Sequence, residues 1–135
     1  VALAIRKDNS NGEEDSVSEV LSKVGLLDRI EQRSGDLSYG HQRLLELAMG
    51  MAQKPKLLIL DEPTQGLSDS EIENFKKLIK DISSSTTILL IEHNMDVVMS
   101  IADNISVLHF GEIIADGDKE TIQNDPIVQK AYLGD

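Results

Sequence analysis

The sequence predicts an α/β fold with a parallel core and an antiparallel hairpin at one edge. Two short apolar runs, Leu57–Leu60 and Thr86–Ile91, are each followed by a stretch with helical periodicity. Strands that alternate with helices are typical of a parallel sheet. Two further runs, Ile105–Phe110 and Glu112–Ala115, are separated only by Gly111 and therefore predict a tight hairpin.

The chain before the first strand predicts a loop and two helices. Asp8–Asp15 is polar and charged, which is typical of a mobile loop. Ser16–Val24 carries its apolar residues on one face and is followed by Gly25, a usual helix stop. Ser38 is a good N-cap for a second helix, whose apolar stripe runs to Lys54-Pro55.

The remaining elements follow from the same patterns. We expect a helix from about Asp69 to Ile82 after the first strand and a shorter one, Met95–Ala102, after the second. Thr121–Leu133 also has helical character, with a break at Asp125-Pro126.

Composition excludes several classes of protein. A chain of 135 residues with 40% hydrophobic residues can bury one modest core. The net charge of −11 disfavours a surface for nucleic acid or anionic lipid. The absence of cysteine excludes a disulfide framework and fits a reducing cytosol. The first residue is Val rather than Met, which leads us to expect an excised piece of a longer protein.

Side chains that can take part in catalysis or ligand binding follow both apolar strands. Asp61 and Glu62 follow the first strand, and Glu92 and His93 follow the second. Ligands of parallel sheets collect at the carboxyl ends of the strands. One carboxylate beside nucleotide phosphates is enough for a Mg²⁺ ion that keeps several waters, and its neighbour can orient or deprotonate an attacking water. The alternative is ordinary: acidic residues often begin solvated loops, and a lone histidine is usually structural.

The start of the second helix is a candidate anion site. Ser38 and Gly40 lie where the first helical N–H groups are unpaired and the dipole is positive, an effect of about 0.3–1 kcal/mol per charge. A simple N-cap with a flexible glycine explains the same residues. No Gly-x-x-x-x-Gly-Lys-Ser/Thr loop occurs in the chain, and His41-Gln42 stands where such a loop would have its Lys-Ser/Thr.

In this order the motifs resemble the C-terminal half of an ATP-binding-cassette (ABC) ATPase domain, a partial P-loop NTPase, over about residues 16–135. Leu37–His41 resembles the Leu-Ser-Gly-Gly-Gln signature, from which Tyr39 and His41 depart. Leu57–Asp61 resembles the Walker B strand. The resemblance implies that residues 1–55 belong to the helical signature subdomain and residues 56–135 to the α/β core with the C-terminal helices.

The resemblance also implies ATP and Mg²⁺ as cofactors and a role for each site residue. The catalytic residues would be Glu62 and His93, with Asp61 holding Mg²⁺ through water. The signature would cap nucleotide bound by a second ATPase subunit, through Ser38, Tyr39, Gly40 and His41. Ser68 and Asp69 would belong to the D-loop.

Within the superfamily, Ile88–Met95 and the tail Asn124–Gly134 are similar to the ATPase subunits of branched-chain amino-acid and urea importers. The implied partners are a second ATPase subunit and transmembrane permease subunits, without nucleic acid, at the cytoplasmic face of the membrane. Without a P-loop, the chain is expected to be inactive alone. Two alternatives remain at this point: a non-transport ABC ATPase of DNA repair or translation, and a truncated fragment with no enzymatic role.

Overall fold

The structure is a computed structural model that describes residues 13–133, and the side chains of residues 17–132. The chain divides into two compact units, Val1–His93 and Asn94–Asp135. This division by compactness does not test the expected functional boundary between residues 55 and 56, which stays a prediction.

From residue 13 onward, the first unit contains three helices and a two-stranded sheet. Its elements in chain order are α1 Glu13–Lys23, 3₁₀ turns at Leu27–Arg29 and Ser34–Asp36, α2 Tyr39–Met51, β1 Leu57–Asp61, α3 Asp69–Ser83 and β2 Thr87–Ile91. Strands β1 and β2 are parallel, with Leu57 opposite Thr87 and Asp61 opposite Ile91. The predicted parallel core is therefore confirmed.

Helix α1 corrects one expectation. It begins at Glu13, so Glu13–Asp15 is helical rather than part of a loop, while the rest of the expected loop lies outside the described residues. Acidic residues in a first turn complement the helix dipole, which favours this earlier start. The stop was predicted correctly, because Gly25 takes a positive φ of 73° that suits glycine.

The two faces of the β1–β2 sheet differ in burial. Leu58 is buried, and α2 approaches it closely at Gly50, where a Cβ would lie 3.1 Å from Leu58 Cδ1. The opposite face carries apolar side chains that remain about half exposed; these are Leu57, Ile59, Leu89 and Ile91. Because successive side chains of a strand point to opposite faces, these four residues lie on the face opposite Leu58.

The second unit consists of a hairpin and short helices. Its elements are α4 Met95–Ile101, β3 Ile105–His109, β4 Glu112–Gly117, α5 Lys119–Asn124, α6 Pro126–Val128 and a π-helical turn at Gln129–Leu133. Strands β3 and β4 are antiparallel, which confirms the predicted hairpin. Phe110 and Gly111 both have positive φ, 47° and 84°, as a two-residue type I′ turn requires.

The core of the second unit is small and aliphatic, and comprises the buried residues Ile105, Val107, Ile122 and Val128. His109 is a strand residue, as expected, and its ring meets that of Tyr132 edge-on at 5.9 Å between centroids. The helical break was placed correctly, because Asp125 ends α5 and caps α6 through the N–H of Ile127 at 2.7 Å.

Candidate functional site

The ends of β1 and β2 bring Glu62 and His93 together. The N–H of Glu62 donates to the carbonyl of Ile91 at 2.8 Å, so the parallel ladder continues one residue past β1. Glu62 has a φ of 45°, a left-handed conformation that few non-glycine residues adopt. His93 Nδ1 lies 3.6 Å from Glu62 Oε1, and both side chains remain accessible to solvent. The pair therefore faces the open end of the sheet, where a substrate can reach it.

Asp61 is the last residue of β1 and its side chain is exposed. Within residues 13–133, no group of three or more His, Cys, Asp or Glu side chains is arranged to hold a metal ion. A single exposed carboxylate still fits Mg²⁺, because this ion keeps several waters and takes its remaining ligands from substrate phosphates. Asp61 is thus suited to hold Mg²⁺ through water.

Thr64 and Glu92 form a contact that the sequence did not predict. Thr64 is 5% exposed, and its N–H and hydroxyl both donate to Glu92 Oε1, at 2.9 and 2.5 Å. The second carboxylate oxygen, Oε2, accepts from the N–H of His93 at 3.2 Å. The signal available in the sequence was indirect: Thr64 lies two residues after Glu62, and Glu92 directly precedes His93.

The start of α2 has the predicted cap. Ser38 Oγ accepts from the N–H of His41 at 3.3 Å. Gly40 is buried, and a Cβ at this position would overlap the carboxylate of Glu71 in the first turn of α3. A larger residue at position 40 would therefore displace the Glu71 carboxylate from this place.

Glu71 also organises the start of α3. Its Oε2 accepts from the N–H of Ser68 at 2.8 Å and from the Ser68 hydroxyl at 2.7 Å, and the two residues form a capping box. The Ser68 N–H, then its hydroxyl, lower the pKa of the Glu71 carboxyl below its ordinary value, and the charge of His41 adds a smaller contribution. Asp69 follows as the first residue of α3 and is exposed.

Tyr39 lies against the loop between β1 and α3. Its ring covers Gly66, where a Cβ would be 2.9 Å from Tyr39 Cε1, and Gly66 has a φ of 78°. Arg43 donates to the Tyr39 hydroxyl from Nε and Nη2, at 3.1 and 2.8 Å. The ring is thus contacted by Gly66 at one edge and by Arg43 at its hydroxyl, although Tyr39 remains about half exposed.

The 62–68 loop takes part in both groups of contacts. Glu62 and Thr64 contact the end of β2, while Gly66 and Ser68 contact Tyr39 and the Glu71 carboxylate. Every site residue predicted from the sequence lies in the first unit. The chemical role of each remains a prediction.

Comparisons with known proteins agree with the order of the motifs. A family model described as ABC transporter matches residues 3–65. A second model, described as branched-chain amino acid ATP-binding cassette transporter, matches residues 112–135. The two matches fall near opposite ends of the chain, and the first includes the signature-like and Walker B-like segments.

The names of two curated relatives agree with the description of the second family model. The chain is 42% identical over 123 residues to the high-affinity branched-chain amino acid transport ATP-binding protein LivG of Escherichia coli (strain K12), covering 90% of this chain and 48% of that protein. It is 45% identical over 117 residues to BraF of Pseudomonas aeruginosa, with the same descriptive name, covering 85% and 46%. The chain therefore spans about half the length of these relatives.

A solved structure shares the fold. The chain superimposes with a TM-score of 0.83 and 26% identity on MJ1267, an ATP-binding cassette of an ABC transporter. The match covers 93% of this chain and 51% of that one.

Proposed function

Because this chain belongs to the family of ABC transporter ATP-binding proteins, we propose that it is the C-terminal part of the ATP-hydrolysing subunit of an importer. The observation that carries the proposal is the approach of Glu62 and His93 to 3.6 Å at the open ends of two parallel strands. The names of LivG and BraF support branched-chain amino acids as the solute class, with urea as the alternative. Both family models describe transporters, which favours the importer over a DNA-repair or translation ATPase.

Three side chains would act at the γ-phosphate. Glu62 would accept a proton from the attacking water or orient it, because its carboxylate is accessible and lies at the strand end. His93 would contact the γ-phosphate oxygens and keep the Glu62 carboxylate in place. Asp61 would hold Mg²⁺ through water, and the ion would neutralise charge on the phosphate oxygens.

The start of α2 would serve a second nucleotide site. Ser38, Tyr39, Gly40 and His41 would cap ATP bound by a partner ATPase subunit, since the free N–H groups at a helix start favour phosphate. Ser68 and Asp69 would lie at the same interface. The helix dipole adds about 0.3–1 kcal/mol per charge, so the contact would gain strength mainly from hydrogen bonds.

The partners would include transmembrane permease subunits. No helix within the described part of the chain, residues 13–133, is long and apolar enough to cross a bilayer. The resemblance to importer ATPase subunits is what supports a place on the cytoplasmic face of the membrane, bound to those permeases. The chain lacks a lysine-bearing phosphate loop, so the 135-residue chain alone should show no Mg-ATP turnover above a buffer blank.

The decisive variant is Glu62→Gln in the natural gene product at its full length. Removal of a positioned general base lowers the rate by about 10²–10⁴-fold, so steady-state hydrolysis should fall by that factor while ATP binding persists. Asp61→Asn should instead weaken Mg²⁺-dependent ATP binding. Glu112→Gln, an exposed change on β4, serves as the control and should leave both properties unchanged. Normal hydrolysis by Glu62→Gln would refute the assignment.

A further inference from the structure

We propose that Glu92 is a positioning residue for ATP hydrolysis, which fixes the loop carrying Glu62 to the strand end carrying His93. The inference rests on the function proposed above. Glu92 is not one of the groups expected to touch nucleotide; it would act through the two residues that do.

One carboxylate joins the two backbone segments. Glu92 Oε1 accepts both donors of Thr64, at 2.9 and 2.5 Å, and Oε2 accepts from the N–H of His93 at 3.2 Å. Thr64 follows Glu62 by two residues, and His93 follows Glu92 directly. Glu92 therefore sets the spacing of the segments that present Glu62 and His93.

The burial of Thr64 makes this contact specific. Thr64 is 5% exposed, so its N–H and hydroxyl cannot turn to bulk water without opening the loop. A buried donor that loses its acceptor is destabilised, and hydrogen bonds to a charged acceptor are among the stronger ones in proteins. The loop position is thus coupled to the presence of a carboxylate at position 92.

The conformation of Glu62 explains why such a contact is needed. Its φ of 45° is sparsely populated and persists only where the surroundings hold it. The Glu62 N–H bonded to Ile91 fixes one side of the residue, and the Gln65 N–H bonded to the Glu62 carbonyl at 3.2 Å closes the turn on the other. Thr64 lies inside this turn, so its attachment to Glu92 holds the turn in place. Without it, Glu62 would leave the position that aligns the water.

The test uses the full-length natural gene product with five variants. Glu92→Ala removes both acceptors, Thr64→Val removes the hydroxyl donor, and the double variant combines them. Thr64→Ser keeps both donors, and Glu112→Ala is an exposed control on β4. Each is assayed for kcat and KM with Mg-ATP. Hydrogen exchange of the Thr64 amide is measured in wild type, Glu92→Ala and Glu112→Ala, which keep Thr64, after labelling with ¹⁵N-threonine.

A misplacement of about 1 Å can lower a rate by about 10²-fold, so we expect Glu92→Ala to lower kcat by at least about tenfold with little change in KM. Thr64 amide exchange should accelerate in the same variant. Thr64→Val should lower kcat in the same direction. The double variant should fall no further than Glu92→Ala, because Glu92→Ala has already removed the acceptor of the Thr64 hydroxyl. Thr64→Ser and Glu112→Ala should behave as wild type.

Three results would overturn the proposal. Wild-type kcat in Glu92→Ala with faster Thr64 exchange would show that the contact does not position the site. A lower kcat with unchanged exchange would show that Glu92 acts by another route. Equal losses in Thr64→Val and Thr64→Ser would show that the hydroxyl is not the link; this comparison also decides the case if Glu92→Ala does not fold. A wild type without ATPase activity would instead contradict the proposed function itself.

Discussion

At the scale of single residues, Ser38 has two possible roles that place different demands on one hydroxyl. As a helix cap it only has to accept from the N–H of His41. As a phosphate contact it would also have to reach a nucleotide held by the partner subunit. The first role affects folding, and the second affects turnover in a folded dimer.

We predict that Ser38→Ala costs about 0.5–2 kcal/mol of stability and lowers ATPase activity at saturating ATP beyond that loss. Asp118→Ala removes a comparable cap, the one that accepts from the Thr121 N–H at 2.9 Å, and serves as the control for cap loss alone. Denaturant unfolding and steady-state hydrolysis of the full-length protein measure the two effects. If both variants lose activity only in proportion to folded protein, Ser38 is a cap and nothing more.

The proximity of Glu62 and His93 could be predicted from the sequence, because each follows a strand and parallel strands end at the same edge. The Thr64–Glu92 contact could not. It depends on the side-chain direction after a left-handed residue and joins residues that are 28 positions apart, with a helix and a strand between them. Periodicity carries no information about either.

At the scale of elements, the Glu71 carboxylate lies against the starts of both α2 and α3. The carboxylate caps α3 through Ser68 and occupies the space left by the missing side chain of Gly40. One side chain therefore lies beside both the signature-like and the D-loop-like residues.

We predict that Glu71→Gln lowers stability at pH 7 but not in acid. The pKa of Glu71 is lowered in the folded state, so its contribution is present above the unfolded pKa, ordinarily about 4.3, and is lost as the pH falls through the folded value. Glutamine keeps an acceptor for Ser68 but not the charge. The urea midpoints of wild type and Glu71→Gln should therefore differ at pH 7 and converge in acid.

The exposed change Glu31→Gln is the control for this experiment and should leave the midpoint unchanged at both pH values. A constant difference between Glu71→Gln and wild type across the whole pH range would contradict the ionic contribution.

Element types were predictable where periodicity was long or turn chemistry was strong. The parallel pair and the hairpin at Gly111 were both expected from the sequence. The start of α1 was placed too late because acidic residues suit loops and first helical turns equally. The two 3₁₀ turns, Leu27–Arg29 and Ser34–Asp36, are too short to produce a periodic signal.

At the scale of the whole molecule, the open face of the β1–β2 sheet predicts association. Within residues 13–133, the two strands pair only with each other, and four apolar side chains on one face are between 46% and 57% exposed. Unpaired edges and apolar faces favour pairing with another chain. The purified 135-residue chain should therefore form dimers or larger species in sedimentation velocity experiments.

The double variant Ile59→Thr/Leu89→Thr should shift this equilibrium toward monomer, because these residues are opposite each other in the register and threonine retains strand propensity. Ile113→Thr, at an apolar position on β4 that is 66% exposed, is the control and should change the equilibrium little. A monomeric unmodified chain at all concentrations tested would contradict the role of this face.

The backbone at Glu62 also limits how this site could decay during evolution. A lineage released from selection for hydrolysis would tolerate Gly, Asn or Asp at this position, because these residues enter the left-handed region at the lowest cost. Val, Ile or Thr would strain the turn and lower the yield of folded protein even after catalysis had ceased to matter. Descendants that have lost activity should therefore carry a narrow set of replacements at position 62, because the backbone conformation still restricts the residue type when catalysis no longer does.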